Sequence, residues 1–316
     1  MSLWLSCLRA PALAGVLVCA LLLGGCATPQ MATLEQRWPG DLPASTLIGS
    51  VPFFPQDDYQ CGPAALAMAA RAAGVVVTPD DLVEQVYLPA RQGSLQLEML
   101  ATSRRQGLPA YLLAPRVEAL LREVAAGNPV IVLQNLAFFF APVWHYAVVI
   151  GFDRSRNLLI LHSGRTERME MSLYTFERTW ARGEHWAMVA LAPTRLPATA
   201  EPDAYAASVA ALERVDPRAA QTAYATALQT WPSHRGALLG AGNTAYALGQ
   251  LDRAAKAYRA AAEAHPDFAD AWNNLAQVLD EQARRVEASE AVARAVALGG
   301  PRLPRYLELQ QKINSR

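Results

Sequence analysis

Hydrophobic spacing divides the chain into a mixed first part and a helical second part. In the first part, residues 47–193, segments with helical periodicity come before segments with strand-like runs. The predicted helices cover 61–73, 80–87, 95–106 and 117–126, and the predicted strands cover 130–136, 145–152, 158–162 and 185–191. Helices followed by an antiparallel-looking sheet predict an α+β domain.

The second part, residues 203–316, is dense in alanine and almost entirely helical in its spacing. The segment 194–202 between the two parts contains prolines and alanines and predicts a linker. Because the second part has its own packing periodicity, we expect a chain that ends near Pro193 to fold alone.

The second part also repeats, since Pro232 and Pro266 lie 34 residues apart. The same period aligns Ala220 with Ala254 and Ala288, Tyr224 with Tyr258 and Val292, and Ala227 with Ala261 and Ala295. These positions resemble tetratricopeptide (TPR) repeats, in which small residues let paired helices approach and an aromatic ring fills the gap between them. The resemblance implies an all-α solenoid that binds a peptide or protein partner. A plain alanine-rich bundle is the alternative.

The N-terminus has the pattern of an export signal. Residues 1–25 carry one charged side chain, Arg9, before an apolar run, and they end in Leu-Leu-Gly-Gly immediately before Cys26. This ending resembles a bacterial lipobox, which implies cleavage before Cys26 and lipidation of its thiol. An ordinary signal peptide with a chance cysteine and a short membrane anchor are the alternatives.

The residues that follow the signal predict a destination and a tether. Ala27 stands where an aspartate would signal retention in the inner membrane, so we expect an outer-membrane lipoprotein that faces the periplasm. Residues 26–46 contain several prolines and little apolar periodicity, which predicts an extended, lipidated tether ahead of the first domain.

Charge and composition narrow the possible functions. Lysine plus arginine equals aspartate plus glutamate at 28 each, so nothing indicates a nucleic-acid surface. The spacing of histidine, cysteine and acidic residues indicates no metal site, and the chain has no Gly-rich phosphate loop. We therefore expect no cofactor.

Cys61 is the lone cysteine of the expected mature chain. Cys7 and Cys19 leave with the signal and Cys26 is acylated, so Cys61 has no disulfide partner. It begins a predicted helix, where free backbone N–H groups and the helix dipole stabilise a thiolate. We therefore expect a pre-activated nucleophile.

His145 is the candidate base for this nucleophile. It opens an apolar predicted strand, so the residues after it pack into the core while it projects into a cleft. A cysteine at a helix tip that faces a histidine on a sheet is the geometry of papain-like peptidases.

Three segments resemble the bacteriocin-processing, double-glycine leader peptidase family: an upstream glutamine, the Cys-Gly-Pro that begins at Cys61, and the His-Tyr-Ala-Val-Val-Ile-Gly-Phe-Asp that begins at His145. The resemblance covers residues 47–193. It implies that Cys61 attacks the scissile carbonyl, that His145 shuttles the proton, and that Gln56 donates to the oxyanion together with the Cys61 backbone N–H. Gln56 lies five residues before the cysteine where the family glutamine usually lies six before, so Gln60 is a competitor.

The orienting acid of the family is missing from this chain. Sixteen to eighteen residues after His145 the sequence reads Leu-His-Ser-Gly, from residue 161 to 164. His162, Ser163 or Asn157 is left to orient the imidazole as a neutral acceptor, and we assign this role to His162.

Together these features predict a papain-like, lipid-anchored cysteine peptidase that works through a thioester, followed by TPR repeats that bind a protein partner. A catalytically degenerate scaffold lipoprotein is the alternative of a different class, and the missing acid motivates it. Amide or acyl transfer through the same thioester is a third possibility.

Overall fold

The computed structural model describes residues 28–56 and 60–315, so the predicted signal peptide and Cys26 lie outside the described residues. The helices are α1 Pro29–Gln36, α2 Cys61–Ala72, α3 Pro79–Val86, α4 Gln96–Arg105, α5 Val117–Ala125, α6 Leu173–Ala181, α7 Pro202–Glu213, α8 Pro217–Thr230, α9 Arg235–Ala247, α10 Leu251–Ala264, α11 Ala269–Glu281, α12 Arg285–Leu298 and α13 Leu303–Asn314. The strands are β1 Ser45–Leu47, β2 Tyr87–Leu88, β3 Gly93–Ser94, β4 Ala110–Leu112, β5 Val130–Asn135, β6 Trp144–Asp153, β7 Leu158–Ser163, β8 Thr166–Ser172 and β9 Ala187–Ala190. Within the two described ranges, no helix is both long enough and apolar enough to cross a membrane.

An antiparallel sheet organises the first domain, with the strand order β4-β9-β5-β6-β7-β8. β1 pairs with the far half of β6, where Ser45 lies opposite Asp153 and Leu47 lies opposite Gly151, so β1 continues the line of β5. Every residue of β5 is buried, which explains why this strand is a nearly continuous apolar run in the sequence. The predicted α+β class is confirmed.

Helices cover both faces of this sheet. Because side chains alternate along β6, Val148 and Ile150 pack on the face that α2 covers, while Ala147 and Val149 pack on the face that α5 covers. Each face thus has its own hydrophobic cluster. The strand ends are left open, and the site described below lies where β5 ends and β6 begins.

The described part of residues 26–46 is not an extended tether, which corrects the prediction. α1 packs against α5 and α6, and its Met31 side chain is fully buried. The Glu177 carboxylate of α6 accepts hydrogen bonds from the backbone N–H groups of Gln30 (2.9 Å) and Met31 (2.8 Å) and so caps the first turn of α1. Pro29, which suggested a tether, instead starts the helix, because proline fits a first helical turn.

The second domain consists of three helix pairs, α7/α8, α9/α10 and α11/α12, and the final helix α13. The alanines that the repeat aligns are fully buried between the helices: Ala220, Ala254 and Ala288. An added Cβ would lie 2.1 Å from the Tyr224 ring at Gly240 and 2.3 Å from the Tyr258 ring at Gly242. The rings therefore fill the space that each glycine leaves, and the predicted TPR solenoid is confirmed.

The two domains share one hydrophobic core, which argues against the expectation that a chain ending near Pro193 folds alone. Tyr205 and Val209 of α7 and Tyr224 of α8 belong to the same buried cluster as Tyr111 of β4. α7 also lies against β4, which is the edge strand of the sheet. The solenoid therefore covers backbone groups that an edge strand otherwise leaves open.

Residues 194–202 are fixed to the first domain by a buried carboxylate. Glu123 of α5 is fully buried and accepts hydrogen bonds from the backbone N–H groups of Ala198 (3.1 Å) and Thr199 (2.7 Å). The Thr199 hydroxyl and the Asn128 amide donate to the same carboxylate, both at 2.6 Å. The segment has no regular secondary structure before Pro202, where α7 begins, and the Glu123 carboxylate holds it in place.

Candidate active site

Three of the four predicted catalytic residues line one cleft. The cleft has a volume of about 840 Å³ and lies at the end of the sheet where β5 leads into β6. Cys61 lines it from the first turn of α2, His145 from the start of β6, and Gln56 from the segment before α2. In the part of the chain that the structure describes, no three His, Cys, Asp or Glu side chains are grouped so as to hold a metal ion.

Cys61 is the first residue of α2, as predicted, and its side chain is partly buried. Backbone N–H groups of Tyr146, Gly62 and Cys61 itself donate toward the sulfur. Burial nevertheless raises the pKa of the Cys61 thiol, because the thiolate loses more solvation than these groups return. The prediction of a pre-activated thiolate is therefore wrong for the free protein, and the thiol needs a base to become nucleophilic.

His145 is held by a serine. Its Nε2 lies 2.9 Å from the Ser163 hydroxyl, at the end of β7. Burial lowers the pKa of the His145 imidazole, so the ring is neutral at neutral pH. When the Ser163 oxygen accepts from Nε2–H, the ring lone pair lies on Nδ1, which is then available to accept a proton.

His162 has a structural role, and the prediction that it orients His145 is wrong. Its side chain is buried against the Phe53 ring, with 5.2 Å between the ring centroids. Its Nε2 lies 3.2 Å from the Val51 carbonyl oxygen, and its Nδ1 accepts a hydrogen bond from the Arg168 backbone N–H at 3.3 Å. Both ring nitrogens are therefore occupied by backbone groups.

Strand register explains why Ser163 and not His162 meets the imidazole. His162 pairs with Val148, whose side chain packs toward α2. Because side chains alternate along a strand, the next residue, Ser163, points to the opposite face, which His145 shares. The third candidate, Asn157, immediately precedes β7 and so lies at the far end of that strand.

Ser163→Ala is expected to lower kcat/KM for a peptide substrate by about tenfold, the effect of one lost hydrogen bond worth ~1.4 kcal/mol. The pH profile should change as well, because the imidazole loses the group that selects its tautomer. Ser163→Asn keeps an acceptor and should retain more activity. His162→Ala should lower stability in denaturant titrations and leave kcat of the folded protein near the wild-type value. An unchanged kcat/KM and pH profile in Ser163→Ala would contradict this assignment.

Gln56, and not Gln60, presents an amide to the cleft. The Gln56 side chain is buried, and its Nε2 has no hydrogen-bond partner among the described residues. Its backbone is fixed to the β7–β8 turn, since its N–H donates to the Gly164 carbonyl oxygen at 3.1 Å. Gln60 precedes α2 and does not line the cleft. A buried donor without a partner is costly, so this amide is placed to meet an acceptor on a ligand.

The hairpin β2–β3 forms a wall of the cleft that the sequence analysis missed. Gly93 and Ser94 line the cleft, and the Ser94 hydroxyl is buried with no partner in the described structure. An added Cβ at Gly62 would lie 2.2 Å from the Ser94 oxygen. Glycine after the cysteine is therefore required for the hairpin to cross the first turn of α2. Gly62 was therefore the one feature of the sequence that could have indicated a close neighbour of α2 at this point.

Tyr146 is a second residue that the sequence analysis missed. It follows His145, lines the cleft, and has a buried hydroxyl with no partner within the described ranges. Burial raises the pKa of the Tyr146 hydroxyl, and the nearby Cys61 raises it further. The phenol is thus a neutral O–H donor close to the sulfur.

Comparisons with known proteins identify both domains. Residues 48–188 match the model of the Peptidase_C39 like family, and residues 205–254 and 239–302 match a tetratricopeptide repeat model. A solved structure of a candidate C39-like peptidase from Bacillus anthracis is 17% identical, with a TM-score of 0.39, over 47% of this chain and 98% of that one. No curated protein matches the chain. Residues 48–188 therefore form a C39-like peptidase domain, and residues 205–302 form the TPR repeats that follow it.

Proposed function

We propose that this chain is a cysteine peptidase anchored by lipid to the outer membrane and facing the periplasm, with TPR repeats that hold a protein partner. The presence of a C39-like domain with TPR repeats makes it a peptidase-like protein with a protein-interaction module. The observation that supports catalysis is the convergence in one cleft of the Cys61 thiol, the His145–Ser163 pair and the unpartnered Gln56 amide.

The proposed reaction begins with a neutral thiol and a neutral imidazole. His145 Nδ1 accepts the thiol proton as the Cys61 sulfur attacks the scissile carbonyl carbon, and the carbonyl electron pair moves onto oxygen. The Gln56 amide and the Cys61 backbone N–H donate to this oxyanion. The imidazolium then gives its proton to the leaving amine as the C–N bond breaks, which leaves a thioester.

Hydrolysis of the thioester repeats these steps with water. His145 removes a proton from water, the hydroxide oxygen attacks the thioester carbon, and the same two donors hold the second oxyanion. The carbon–sulfur bond breaks, the acid product leaves, and the imidazolium returns its proton to the sulfur. An amine in place of water would give the transfer reaction, so the nature of the acceptor distinguishes peptidase from transferase.

The pH profile of kcat/KM is expected to have an acid limb below pH 6.5. Burial lowers the pKa of His145 from its ordinary 6.5, and only the neutral ring accepts the thiol proton. Activity should therefore be present above pH 6.5 and be lost as the pH falls through the lowered pKa. The free thiol should titrate above its ordinary value of 9.0, because burial raises the pKa of Cys61. Thiolate formation below pH 7 in the free protein, measured by absorbance at 240 nm, would contradict this neutral resting pair.

Peptide cleavage tests the proposal directly. A peptide library is incubated with the purified wild type and with Cys61→Ala, and products are identified by mass spectrometry. Products that appear only with the wild type support a peptidase, and an acyl-transfer product formed with added amines would favour the transferase. Cleavage that persists in Cys61→Ala would overturn the proposal.

A non-catalytic scaffold is the second candidate, and two observations favour it: a serine stands at the orienting position, and burial raises the pKa of the thiol. Iodoacetamide alkylation of Cys61 at pH 7 separates the two functions. In a peptidase the alkylation rate falls in His145→Ala, because the imidazole assists removal of the thiol proton. Equal rates in the wild type and His145→Ala would favour the scaffold.

Lipid anchoring is tested through Cys26, which lies outside the described residues. Cys26→Ala is expected to abolish incorporation of labelled palmitate, because the modified thiol is gone, and to prevent sorting to the outer membrane. Cys61→Ala is the matched control and should be labelled as the wild type is. Unchanged labelling of Cys26→Ala would remove the lipoprotein from the proposal.

A further inference from the structure

The segment between β5 and β6 exposes an unusual amount of aromatic surface. We call residues 136–144 the aromatic loop; their sequence is Leu-Ala-Phe-Phe-Phe-Ala-Pro-Val-Trp, with no ionisable side chain. Phe138, Phe139 and Phe140 are 63%, 85% and 71% exposed, and Trp144 is 54% exposed. Soluble surfaces seldom expose so continuous an apolar run unless it contacts a partner.

The three phenylalanine rings pack on one another and are largely exposed. Phe138 stacks on Phe140 and Phe139 meets Phe140 edge-on, each pair with 5.3 Å between ring centroids. None of the three lines the cleft, whereas Pro142, Val143 and Trp144 do. The loop thus has one side that borders the cleft and a tip that projects away from it.

Asn135 satisfies the backbone of the aromatic loop from within. Its side-chain oxygen accepts hydrogen bonds from the N–H groups of Ala137 (3.1 Å) and Val143 (3.0 Å), and its side-chain N–H donates to the Phe138 carbonyl oxygen (3.3 Å). The Ala141 N–H also donates to the Phe138 carbonyl oxygen at 3.3 Å. Backbone groups that are already paired lower the cost of moving a loop out of water.

The aromatic loop lies at the same end of the sheet as the N-terminus of the described chain. β4 and β5 run parallel to each other on either side of β9, where Met188 pairs with both Leu112 and Ile131, so the chain leaves both strands at one end. At that end the Gln30 side chain of α1 donates to the carbonyl oxygen of Pro115, just after β4. α1 therefore begins beside the end of the sheet that bears the aromatic loop.

This placement determines where a lipid on Cys26 would emerge. One residue, Ala27, separates Cys26 from Thr28, the first described residue, and the two residue steps span at most ~7 Å. Since α1 is docked and capped, no long tether lets the domain turn away from an anchored N-terminus. A bilayer that holds the acyl chains is then on the aromatic-loop side of the domain.

We propose that the aromatic loop enters the surface of this bilayer and holds the active-site cleft against it. Protein segments that bind a lipid surface present apolar side chains, often with a tryptophan at the interface, and make few directional hydrogen bonds. The composition of the aromatic loop matches this pattern. The Arg182 guanidinium, which donates to the Asn135 carbonyl oxygen at 3.1 Å, adds a cation at the base of the loop.

The orientation selects a class of substrate for the proposed peptidase. Trp144 and Val143 belong both to the aromatic loop and to the lining of the cleft, so a docked loop brings the cleft to the level of the lipid headgroups. The peptide bonds within reach are those of segments that lie on the bilayer or emerge from it. Both steps rest on the proposed function: the substrate class rests on the peptidase activity, and the lipid contact rests on the lipidation of Cys26.

Fluorescence of the full-length protein in vesicles tests the proposal. The protein is reconstituted into phosphatidylethanolamine and phosphatidylglycerol vesicles with brominated acyl chains, and the emission of Trp144 is obtained as the difference between the wild type and Trp144→Phe. We expect the brominated lipids to quench this emission and the vesicles to shield it from acrylamide. Replacing Phe138, Phe139 and Phe140 together by serine should abolish both effects.

Matched variants separate this contact from anchoring and from catalysis. Val76→Ser changes a residue that is 89% exposed, four residues beyond the end of α2 and so away from the cleft, and it should leave the quenching unchanged. Cys61→Ala should also be quenched as the wild type is, so a failed peptidase does not imply a failed contact. Vesicle flotation reports the anchor independently. Trp144 that remains as accessible to acrylamide in vesicles as in detergent-free buffer would overturn the proposal, as would shielding by added peptides but not by lipid.

Discussion

Cys61→Ala and His145→Ala are each expected to lower kcat/KM for a cleaved peptide by about 10⁴-fold or more, or about 5.4 kcal/mol of transition-state stabilisation. The sulfur forms the covalent bond and the imidazole moves its proton, so the loss of either stops the same step. Because the two groups act as one unit, the double variant should be no slower than either single variant. Purified proteins with matched circular dichroism spectra provide the comparison.

Two glutamine variants extend this test to the oxyanion. Gln56→Ala should lower kcat by about 10²- to 10³-fold, the usual effect of one lost oxyanion donor, with little change in KM. Gln60→Ala is the matched control, because its side chain is outside the cleft, and it should remain close to the wild type. A severe Gln60→Ala and a silent Gln56→Ala would show that the wrong amide was assigned. Full activity in Cys61→Ala would end the catalytic interpretation.

Glu123→Ala is expected to lower the free energy of unfolding of the whole chain by about 3 kcal/mol or more, because it leaves buried N–H donors without an acceptor. The donors are the backbone groups of Ala198 and Thr199, which the carboxylate holds at 3.1 Å and 2.7 Å. Since the core continues across this junction, both domains should lose stability in one transition. Chemical denaturation followed by circular dichroism and by tryptophan fluorescence should give coincident curves.

Glu118→Ala provides the control on the same helix. The Glu118 side chain is partly exposed and pairs with Arg122, so its loss should cost less than about 1 kcal/mol. A chain cut at Pro193 should be still less stable than Glu123→Ala, because it also removes the helix that covers β4. A soluble fragment 28–193 with an unchanged denaturation midpoint would restore the independent domain that the sequence suggested.

Strongly periodic elements of the fold were predictable, and weakly patterned edge elements were not. The helix at Cys61 and the strand at His145 follow from their apolar periodicities, and the structure places them within one residue of the prediction. β8 was missed because an edge strand is mostly exposed and carries little apolar signal. α1 was missed although Met31, Leu34 and Trp38 have helical spacing, because prolines nearby suggested an extended chain.

The candidate site was predictable in its residue types but not in its register. Cys61, His145 and Gln56 all line the cleft, and each was predictable because it belongs to a recognisable local motif. Choosing between His162 and Ser163 required knowing which face of β7 lies toward His145. A shift of one residue in the strand register moves every side chain of the strand to the opposite face. The β6–β7 pairing contains an irregularity between Val149 and Gly151, which no sequence pattern reveals. The ionisation state of the Cys61 thiol was also not predictable from the sequence, because its pKa depends on burial.

The burial of Cys61 affects how quickly oxidation inactivates the protein. Oxidants and stray disulfides attack the thiolate much faster than the thiol, and burial keeps the resting sulfur protonated by raising its pKa. Among the described residues Cys61 has no second cysteine beside it, so a sulfenic acid formed there has no described thiol that could resolve it as an internal disulfide. In the proposed mechanism the sulfur becomes nucleophilic only while His145 removes its proton, so it is open to oxidation during a turnover and stays a protonated, unreactive thiol between turnovers.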